Sequence, residues 1–183
     1  MSYSLLAKRL RLPLGFLLSG LYLVLARPTT RGLMAGGAIA LVGVLVRAWA
    51  SGHIMKNDRL ATGGPYAHTR NPLYFGSFLI SAGFAVAAHW ALLLVVAGFF
   101  ALIYVPTMQR ERTNIAGRFP EAYAAYARNV PMFVPRLTAW RPADAAATTG
   151  FSRALYMKHG EWKAALGFLA ALLLLALKLQ WSP

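Results

Sequence analysis

Residues 73–105 read LYFGSFLISAGFAVAAHWALLLVVAGFFALIYV and carry no formal charge over 33 positions. A helix that crosses about 30 Å of hydrocarbon at about 1.5 Å per residue needs about 20 residues. The stretch is therefore too long for one ordinary span and barely long enough for two. A tight helical hairpin that turns near His89 and Trp90 satisfies both limits, and the stretch predicts two short apolar helices side by side in a membrane.

Three further apolar runs flank this hairpin, at residues 12–26, 32–50 and 164–179. Hydrophobic residues make up 58% of the chain, which is more than a soluble domain of 183 residues carries. The net charge of +14 would suit nucleic acid as well as anionic lipid. Because the charges alternate with long apolar runs, we expect membrane lipids and no nucleic acid as partners. The fold class predicted is an all-α integral membrane protein with about five transmembrane helices.

The basic residues predict how the chain is oriented. If the N-terminus is cytoplasmic, 16 of the 19 Lys and Arg residues lie on the inside, as the positive-inside rule requires. The polar segments 51–72 and 107–161 then share the cytoplasmic face, where a water-soluble cofactor would be met. The alanine- and arginine-rich composition suggests a bacterial inner membrane.

The second polar segment contains a helical repeat. Ile115, Phe119, Tyr123 and Tyr126 recur at helical spacing, with charged residues on the other faces. This pattern predicts one cytoplasmic amphipathic helix at the level of the lipid headgroups. Prolines at 131 and 135 end the regular structure, and residues 137–150 are expected to form an irregular connector.

The stretch from Gly63 to Gly76 is the richest in local signals. Gly-Gly-Pro predicts a turn, Pro72 suits the first position of the third apolar helix, and Asn71 suits its N-cap. Arg70 lies beside this helix start, where a carboxylate or phosphate would be favoured. On local physics alone, a capped helix start with a snorkelling arginine explains the same residues and is preferred.

Glu111 is one of only five acidic residues, and it stands between Arg110 and Arg112. Two flanking guanidinium groups favour its ionised form, which could bind an ammonium group or ribose hydroxyls. An interfacial ion pair of little energetic value explains the segment equally well. With no cysteine in the chain, disulfides, thiolate metal sites and cysteine nucleophiles are excluded, and no metal site is predicted.

Three short patterns occur together in this chain. They are Gly-Pro-Tyr-x-x-x-Arg-Asn-Pro-x-Tyr-x-Gly over 64–76, Glu-x-x-x-Ile-x-x-x-Phe-x-x-x-Tyr-x-x-Tyr over 111–126, and Val-Pro-x-x-Val-Pro over 130–135. In order and spacing they resemble the isoprenylcysteine carboxyl methyltransferase family and the related phospholipid N-methyltransferases. The resemblance covers roughly residues 57–136.

The resemblance implies a pocket for S-adenosylmethionine, closed by the loop before the hairpin and by the polar segment after it. Carried over by position, the cofactor-binding residues would be Leu60, Ala61, Gly64, Tyr66, Arg70, Asn71, Pro72, Leu73, Tyr74 and Glu111. Glu111 and Arg110 are the predicted catalytic residues, and Arg110 and Arg112 the predicted substrate-binding residues.

The chain departs from the family pattern at two positions. The family usually has histidine where this chain has Asn71, whose amide can form hydrogen bonds but cannot be charged. The prenylcysteine enzymes have a substrate-binding arginine one helical turn before the glutamate, where this chain has Thr107. Arg110 or Arg112 would have to take that role here.

The expected function is an S-adenosylmethionine-dependent methyltransferase that acts on a lipophilic or isoprenoid-like substrate at the cytoplasmic face. Candidate bases on that face are Glu111, His53, His68 and Tyr66. Two rivals stay open, an NADPH-dependent membrane reductase of the sterol-reductase type and a non-enzymatic membrane scaffold. A single membrane domain is expected over 1–183, with two helices in 1–52, the cofactor-binding core in 53–136, and a connector with the last helix in 137–183.

Overall fold

The computed structural model describes residues 3–54, 59–141 and 150–181, and these ranges contain helices and no β-strand. The all-α fold class is confirmed. Most of the expected connector at 137–150, and residues 57–58 of the motif region, lie outside the described residues. The helices are α1 Tyr3–Leu25, α2 Thr30–Ser51, α3 Pro72–Ala88, α4 Leu92–Phe99, α5 Val105–Arg118, α6 Pro120–Asn129, α7 Arg153–His159 and α8 Trp162–Trp181.

Three helices in the described ranges are long and apolar enough to cross a membrane, namely Thr30–Ser51, Leu92–Arg118 and Trp162–Gln180. The second of these joins α4 to α5 through a π-helical turn at Phe100–Tyr104. Helix α3 is apolar but only 17 residues long. The spans make the chain a membrane protein, whereas the count of five crossings stays a prediction.

The break expected in the charge-free stretch is present. Helix α3 ends at Ala88, and α4 begins at Leu92. His89 closes α3 by donating its backbone N–H to Ala85, and its own carbonyl accepts from Leu92. The two apolar helices therefore meet at the turn that the sequence predicted.

Helices α2 and α3 pack through small residues. A Cβ atom added to Gly43 would lie 2.6 Å from the carbonyl oxygen of Gly76, so the two backbones touch directly. Ala40 is fully buried in the same face. Such close approach drives helix association in lipid, where the hydrophobic effect between helices is absent. Small residues at four-residue spacing in the sequence predict such contacts, at Gly32, Gly36 and Ala40 of α2 and at Gly15 and Ser19 of α1. A Cβ atom added to Gly15 would have no neighbour from another element within 4 Å among the described residues, so the packing role predicted for it is wrong.

The single amphipathic helix expected over 115–126 is wrong, because the chain forms two helices there. Helix α5 ends at Arg118, and Phe119 adopts φ −132° and ψ 61° before Pro120 begins α6. Proline has no N–H to donate and disfavours a helical conformation in the residue before it. Tyr123 and Tyr126 of α6 are buried against Val130 and Leu60, so they are packing residues.

Candidate active site

The loop before α3 is held against the chain that follows α6. The N–H of Arg70 donates to the carbonyl of Pro131 at 2.9 Å, and the N–H of Arg136 donates to the carbonyl of His68 at 2.9 Å. The hydroxyl of Tyr126 donates to the carbonyl of Tyr66 at 2.7 Å. The structure thus brings the first motif segment, 64–76, into contact with both later ones, 111–126 and 130–135, which are far from it in sequence.

Asn71 helps to hold this loop in place. Its Nδ2 donates to the carbonyl of Met132 at 2.8 Å. The neighbouring Thr69 hydroxyl donates to the carbonyl of Phe133 at 2.9 Å. Asn71 precedes α3 as expected, but its side chain makes no capping hydrogen bond, which corrects the expectation that it caps the helix. The amide is committed to the protein backbone.

Arg70 lies across the loop on an aromatic ring. Its Nη1 donates to the Tyr123 hydroxyl at 3.0 Å, and its guanidinium carbon is 5.9 Å from the centre of the same ring. The Nε of Arg70 is buried and has no hydrogen-bond partner among the described residues. One donor of this side chain therefore remains available.

Glu111 is linked to α1 through Tyr74. The Tyr74 hydroxyl donates to Oε1 of Glu111 at 2.7 Å and accepts from Nη1 of Arg11 at 2.7 Å. In the described ranges Glu111 makes no ion pair with Arg110 or Arg112, contrary to the local alternative drawn from the sequence. In the sequence, Arg11 counts only among the basic residues predicted for the cytoplasmic side, because no local pattern connects it to a residue 63 positions away.

Arg110 and Arg112 differ in their surroundings. Arg110 is half-buried, and its Nε is buried without a partner in the part of the chain that the structure describes. Arg112 is exposed. Thr107, at the position of the family's substrate-binding arginine, is fully buried and donates its hydroxyl to the carbonyl of Ile103 at 2.7 Å. Of the two arginines, Arg110 is the more buried, and its Nε is left without a hydrogen bond among the described residues.

Other predicted cofactor residues form the frame of the loop. Gly64 has φ +56°, and the ring of His53 lies where its Cβ would be, so only glycine fits there. Leu60 packs on the cluster of Tyr123 and Tyr126, Ala61 is half-buried, and Pro72 is fully buried. The carbonyl of Leu73 accepts from Nη1 of Arg47 at 3.3 Å.

The side chains of three histidines, two of them near the site, form hydrogen bonds with backbone groups. Nδ1 of His53 lies 2.9 Å from the carbonyl oxygen of Trp49, and Nδ1 of His68 lies 2.8 Å from that of Arg136. His89 at the hairpin turn accepts the N–H of Ala91. The geometry gives His53 and His68 an orienting hydrogen bond at one ring nitrogen each.

Two buried hydroxyls beside the loop have no hydrogen-bond partner within the described ranges. They belong to Tyr66 and Thr62, whose side chains are only 6% and 5% exposed. A buried polar group without a partner costs free energy, and such groups in native proteins call for an explanation. Burial raises the pKa of Tyr66, the carboxylates of Glu161 and Glu111 raise it further, and Arg47 opposes them. The hydroxyl thus stays protonated and remains a donor.

These unpartnered groups suit the polar atoms of a nucleoside and an amino acid. Hydroxyl and guanidinium donors match ribose hydroxyls, a carboxylate and ring nitrogens, and the Glu111 carboxylate matches an ammonium group. The residues present therefore fit S-adenosylmethionine, the cofactor that the sequence resemblance implies. Sequence reasoning missed Thr62, since this residue precedes the pattern at 64–76 and only the burial of its hydroxyl distinguishes it.

A cleft of about 1220 Å³ opens between α1, α2, α3, α4 and α8. Its walls are mainly apolar, and its polar end contains Arg11, Arg47, Ser77 and Tyr104. Arg11 at this end donates to Tyr74, which donates to Glu111, so hydrogen bonds link the cleft to two of the predicted cofactor residues. Tyr104 ends the π-helical turn, a local irregularity that often occurs at functional sites. Neither Arg47 nor Tyr104 was predicted as a site residue.

Among residues 3–54, 59–141 and 150–181, no group of three or more His, Asp or Glu side chains is placed to hold a metal ion. No solved structure matches the chain.

Two relatives match over 111 residues. The cobalt-zinc-cadmium resistance protein CzcN of Cupriavidus metallidurans is 40% identical, and the nickel-cobalt-cadmium resistance protein NccN of Alcaligenes xylosoxydans xylosoxydans is 36% identical. Each match covers 59% of this chain and 50% of the relative, so the chain spans about half the length of these proteins.

The family comparison covers the first of the three sequence patterns and most of the second. The model of the phospholipid methyltransferase family matches residues 42–122, which contain the loop, the hairpin and Glu111. Residues 42–122 therefore match the phospholipid methyltransferase domain, whose family includes isoprenylcysteine carboxyl methyltransferase-like proteins, and the resemblance read from the sequence is confirmed.

Proposed function

We propose that the chain is an S-adenosylmethionine-dependent methyltransferase that acts on a lipophilic, isoprenoid-like acceptor at the cytoplasmic membrane face. The family domain over 42–122 supports methyl transfer in a membrane. The apolar cleft that reaches Glu111 through Arg11 and Tyr74 supports a lipophilic acceptor.

The observation that carries the proposal is the pair of buried, unpartnered hydroxyls of Tyr66 and Thr62. With the free Nε groups of Arg70 and Arg110, they would hold the nucleoside and the carboxylate of the cofactor. Glu111 would receive its ammonium group or a ribose hydroxyl. Asn71 would act indirectly, because its amide holds the loop by donating to Met132.

S-adenosylmethionine, when bound, supplies a methyl group on a sulfonium centre. The residues of the chain contribute mainly position, which is the larger part of catalysis when two reactants must meet in line. The buried loop and α6 exclude water from the cofactor side. If the acceptor must lose a proton, the Tyr74 hydroxyl oxygen can take that proton while the hydroxyl gives its own proton to Oε1 of Glu111. This oxygen of Glu111 already accepts a hydrogen bond from Tyr74 at 2.7 Å.

Binding of S-adenosylmethionine to the purified protein in detergent, measured by calorimetry with NADPH as the control ligand, tests this function. We expect saturable binding of S-adenosylmethionine and none of NADPH. Glu111→Ala and Asn71→Ala should abolish the binding, the first by removing a ligand group and the second by loosening the loop. His89→Ala, at the exposed hairpin turn, is the matched control and should bind as the wild type does.

Each other outcome rejects a specific part of the proposal. Binding of NADPH alone would favour the reductase, and binding of neither ligand would favour the scaffold. Equal binding by all three variants would reject the assignment of the cofactor site.

A further inference from the structure

An ion pair joins the start of α8 to the end of α2. Arg47 donates to Glu161 through Nε at 3.0 Å and through Nη2 at 2.8 and 2.7 Å. Nη1 of Arg47 donates to Ser77 and to the carbonyl of Leu73, both in α3. Glu161 and Arg47 are 114 residues apart, and their side chains are only 14% and 23% exposed.

The donors of Arg47 are fully used by these contacts. Arginine has five N–H groups, and the hydrogen bonds to Glu161, Ser77 and Leu73 occupy its three nitrogens. Arg47 lines the polar end of the cleft but has no donor left for the headgroup of a lipid. Its contacts therefore indicate a positioning role, in which three helices are fixed to one another.

Helix α8 forms one wall of the cleft and is held at both ends. At its start Glu161 binds Arg47, and near its other end Nζ of Lys178 donates to the carbonyls of Leu23 and Val24 in α1. Between these ends its small residues Ala164, Gly167, Ala170 and Ala171 face the cleft. The space along this wall depends on α8 staying where the two ends hold it.

We propose that Glu161 is a positioning residue which, through Arg47, holds α8 as the wall of the cleft and thereby sets the affinity of the cleft for a long-chain lipophile. The cleft volume of about 1220 Å³ exceeds the roughly 300–1,000 Å³ of sites for drug-sized ligands, so a long apolar chain with one polar head is the occupant that fits. That this occupant is the methyl acceptor rests on the proposed function. The ion pair itself reaches beyond the family domain, because Glu161 lies outside residues 42–122.

Removing the charge of Glu161 should release the start of α8. An arginine left without its carboxylate in a partly buried place is strongly unfavourable, so Arg47 would turn away and α8 would lose its attachment at this end, while Lys178 still holds the other end. The loop before α3, residues 60–71, is the proposed cofactor loop. It is held mainly by contacts to residues 126–140, and Arg47 adds only the 3.3 Å hydrogen bond to the Leu73 carbonyl that follows it, so the loop should keep its structure. Lipophile binding and cofactor binding should therefore respond differently.

Photolabelling in lipid nanodiscs tests the proposal without requiring methyl transfer. The probe is a C20 isoprenoid alcohol that carries a diazirine, and labelled peptides are located by mass spectrometry. In the wild type we expect labels on cleft residues of α3 and α8, such as Ser81 and Phe168. Glu161→Gln should weaken this labelling about tenfold, a typical size for coupling between separate sites. Its affinity for S-adenosylmethionine should stay within about twofold of the wild type.

Two controls separate positioning from general loss of structure. Glu121→Gln makes the same chemical change at an exposed site and should label as the wild type does. Since the chain has no cysteine, Glu161→Cys can be alkylated at that position alone. Iodoacetate restores a carboxylate and should restore labelling, whereas iodoacetamide adds a neutral group of similar size and should not.

The outcomes are distinct. Unchanged labelling in Glu161→Gln, or equal recovery with both alkylating agents, would overturn the positioning role. Equal losses of labelling and of cofactor affinity would also overturn it, because they would indicate a general structural effect. The expected labelling changes in a protein whose wild type binds no S-adenosylmethionine would support the role of Glu161 and reject the proposed function instead.

Discussion

The unpartnered hydroxyl of Tyr66 has opposite effects on folding and on binding. The side chain is 6% exposed and Oη has no partner in the described ranges, so folding removes the hydroxyl from water without compensation. Such a group costs about 1–3 kcal/mol in the folded state. A ligand that accepts a hydrogen bond from this hydroxyl would recover the lost free energy. An unpartnered buried hydroxyl is therefore typical of a binding site that is already formed before the ligand binds.

Tyr66→Phe should make the free protein more stable and the cofactor complex weaker. We expect the free energy of unfolding to rise by about 1 kcal/mol, and the affinity for S-adenosylmethionine to fall about tenfold, which corresponds to one lost hydrogen bond. Thermal unfolding and calorimetry in the same detergent measure both. Tyr156→Phe, at a half-buried tyrosine of α7, is the control. A loss of stability together with affinity would contradict the assignment.

Some site residues could be predicted from the sequence and others could not, for a physical reason. Tyr66, Asn71 and Glu111 stand in patterns whose spacing is visible along the chain. Arg11 and Glu161 reach their partners only after folding, across 63 and 114 residues. Each lies just before an apolar run, where a charged residue is expected at the membrane interface, and only the folded contacts reveal what it binds.

The contact between the helices α2 and α3 sets the position of the cleft and of the loop before α3. Gly43 faces Gly76 along this contact, and Arg47 follows one turn later on the same helix. Because the backbones touch, the end of α2 reaches Leu73 and Ser77 at the start of α3. The close packing thus supports the polar end of the cleft.

Gly43→Ala should destabilise the protein by about 1–3 kcal/mol, because the added Cβ would lie 2.6 Å from the Gly76 oxygen and force the helices apart. Thermal unfolding in detergent checks this. Gly98→Ala in α4 is the control, since no atom lies within 4 Å of its Cβ position and alanine favours a helix. If Gly43→Ala were as stable as Gly98→Ala, the packing described for α2 and α3 would be incorrect.

The elements themselves were largely predictable. The charge-free length of 73–105 predicted the hairpin, and small residues at four-residue spacing predicted the packing face of α2. The break at Phe119 was missed, because a helical repeat of apolar residues continues through Pro120 and periodicity alone does not register the missing N–H.

In the whole molecule, hydrogen bonds join the predicted cofactor residues Glu111 and Tyr74 to Arg11 at the polar end of the cleft. The other end of the cleft lies near Arg27 and His89, by the hairpin turn. The distribution of basic residues predicts that the first end faces the cytoplasm. A lipophile from the bilayer and a nucleotide-like cofactor from the cytoplasm could then meet from two sides.

Labelling from each side of the membrane should confirm this orientation. Without native cysteines, Arg112→Cys and Trp90→Cys each present one exposed thiol. In oriented vesicles an impermeant maleimide should reach position 112 only from the cytoplasmic side and position 90 only from the opposite side. Labelling of both thiols from one side would contradict the predicted topology.

Transfer of a labelled methyl group into lipid is the decisive measurement for the proposed methyltransferase activity. Bacteria that express the chain are fed methionine with a trideuterated methyl group, and their lipids and hydrophobic metabolites are compared by mass spectrometry with those of cells expressing Glu111→Ala. We expect a lipophilic species that gains one trideuterated methyl group only with the wild type. The same lipid profile in both cultures, with both proteins present in the membrane, would contradict the proposed activity.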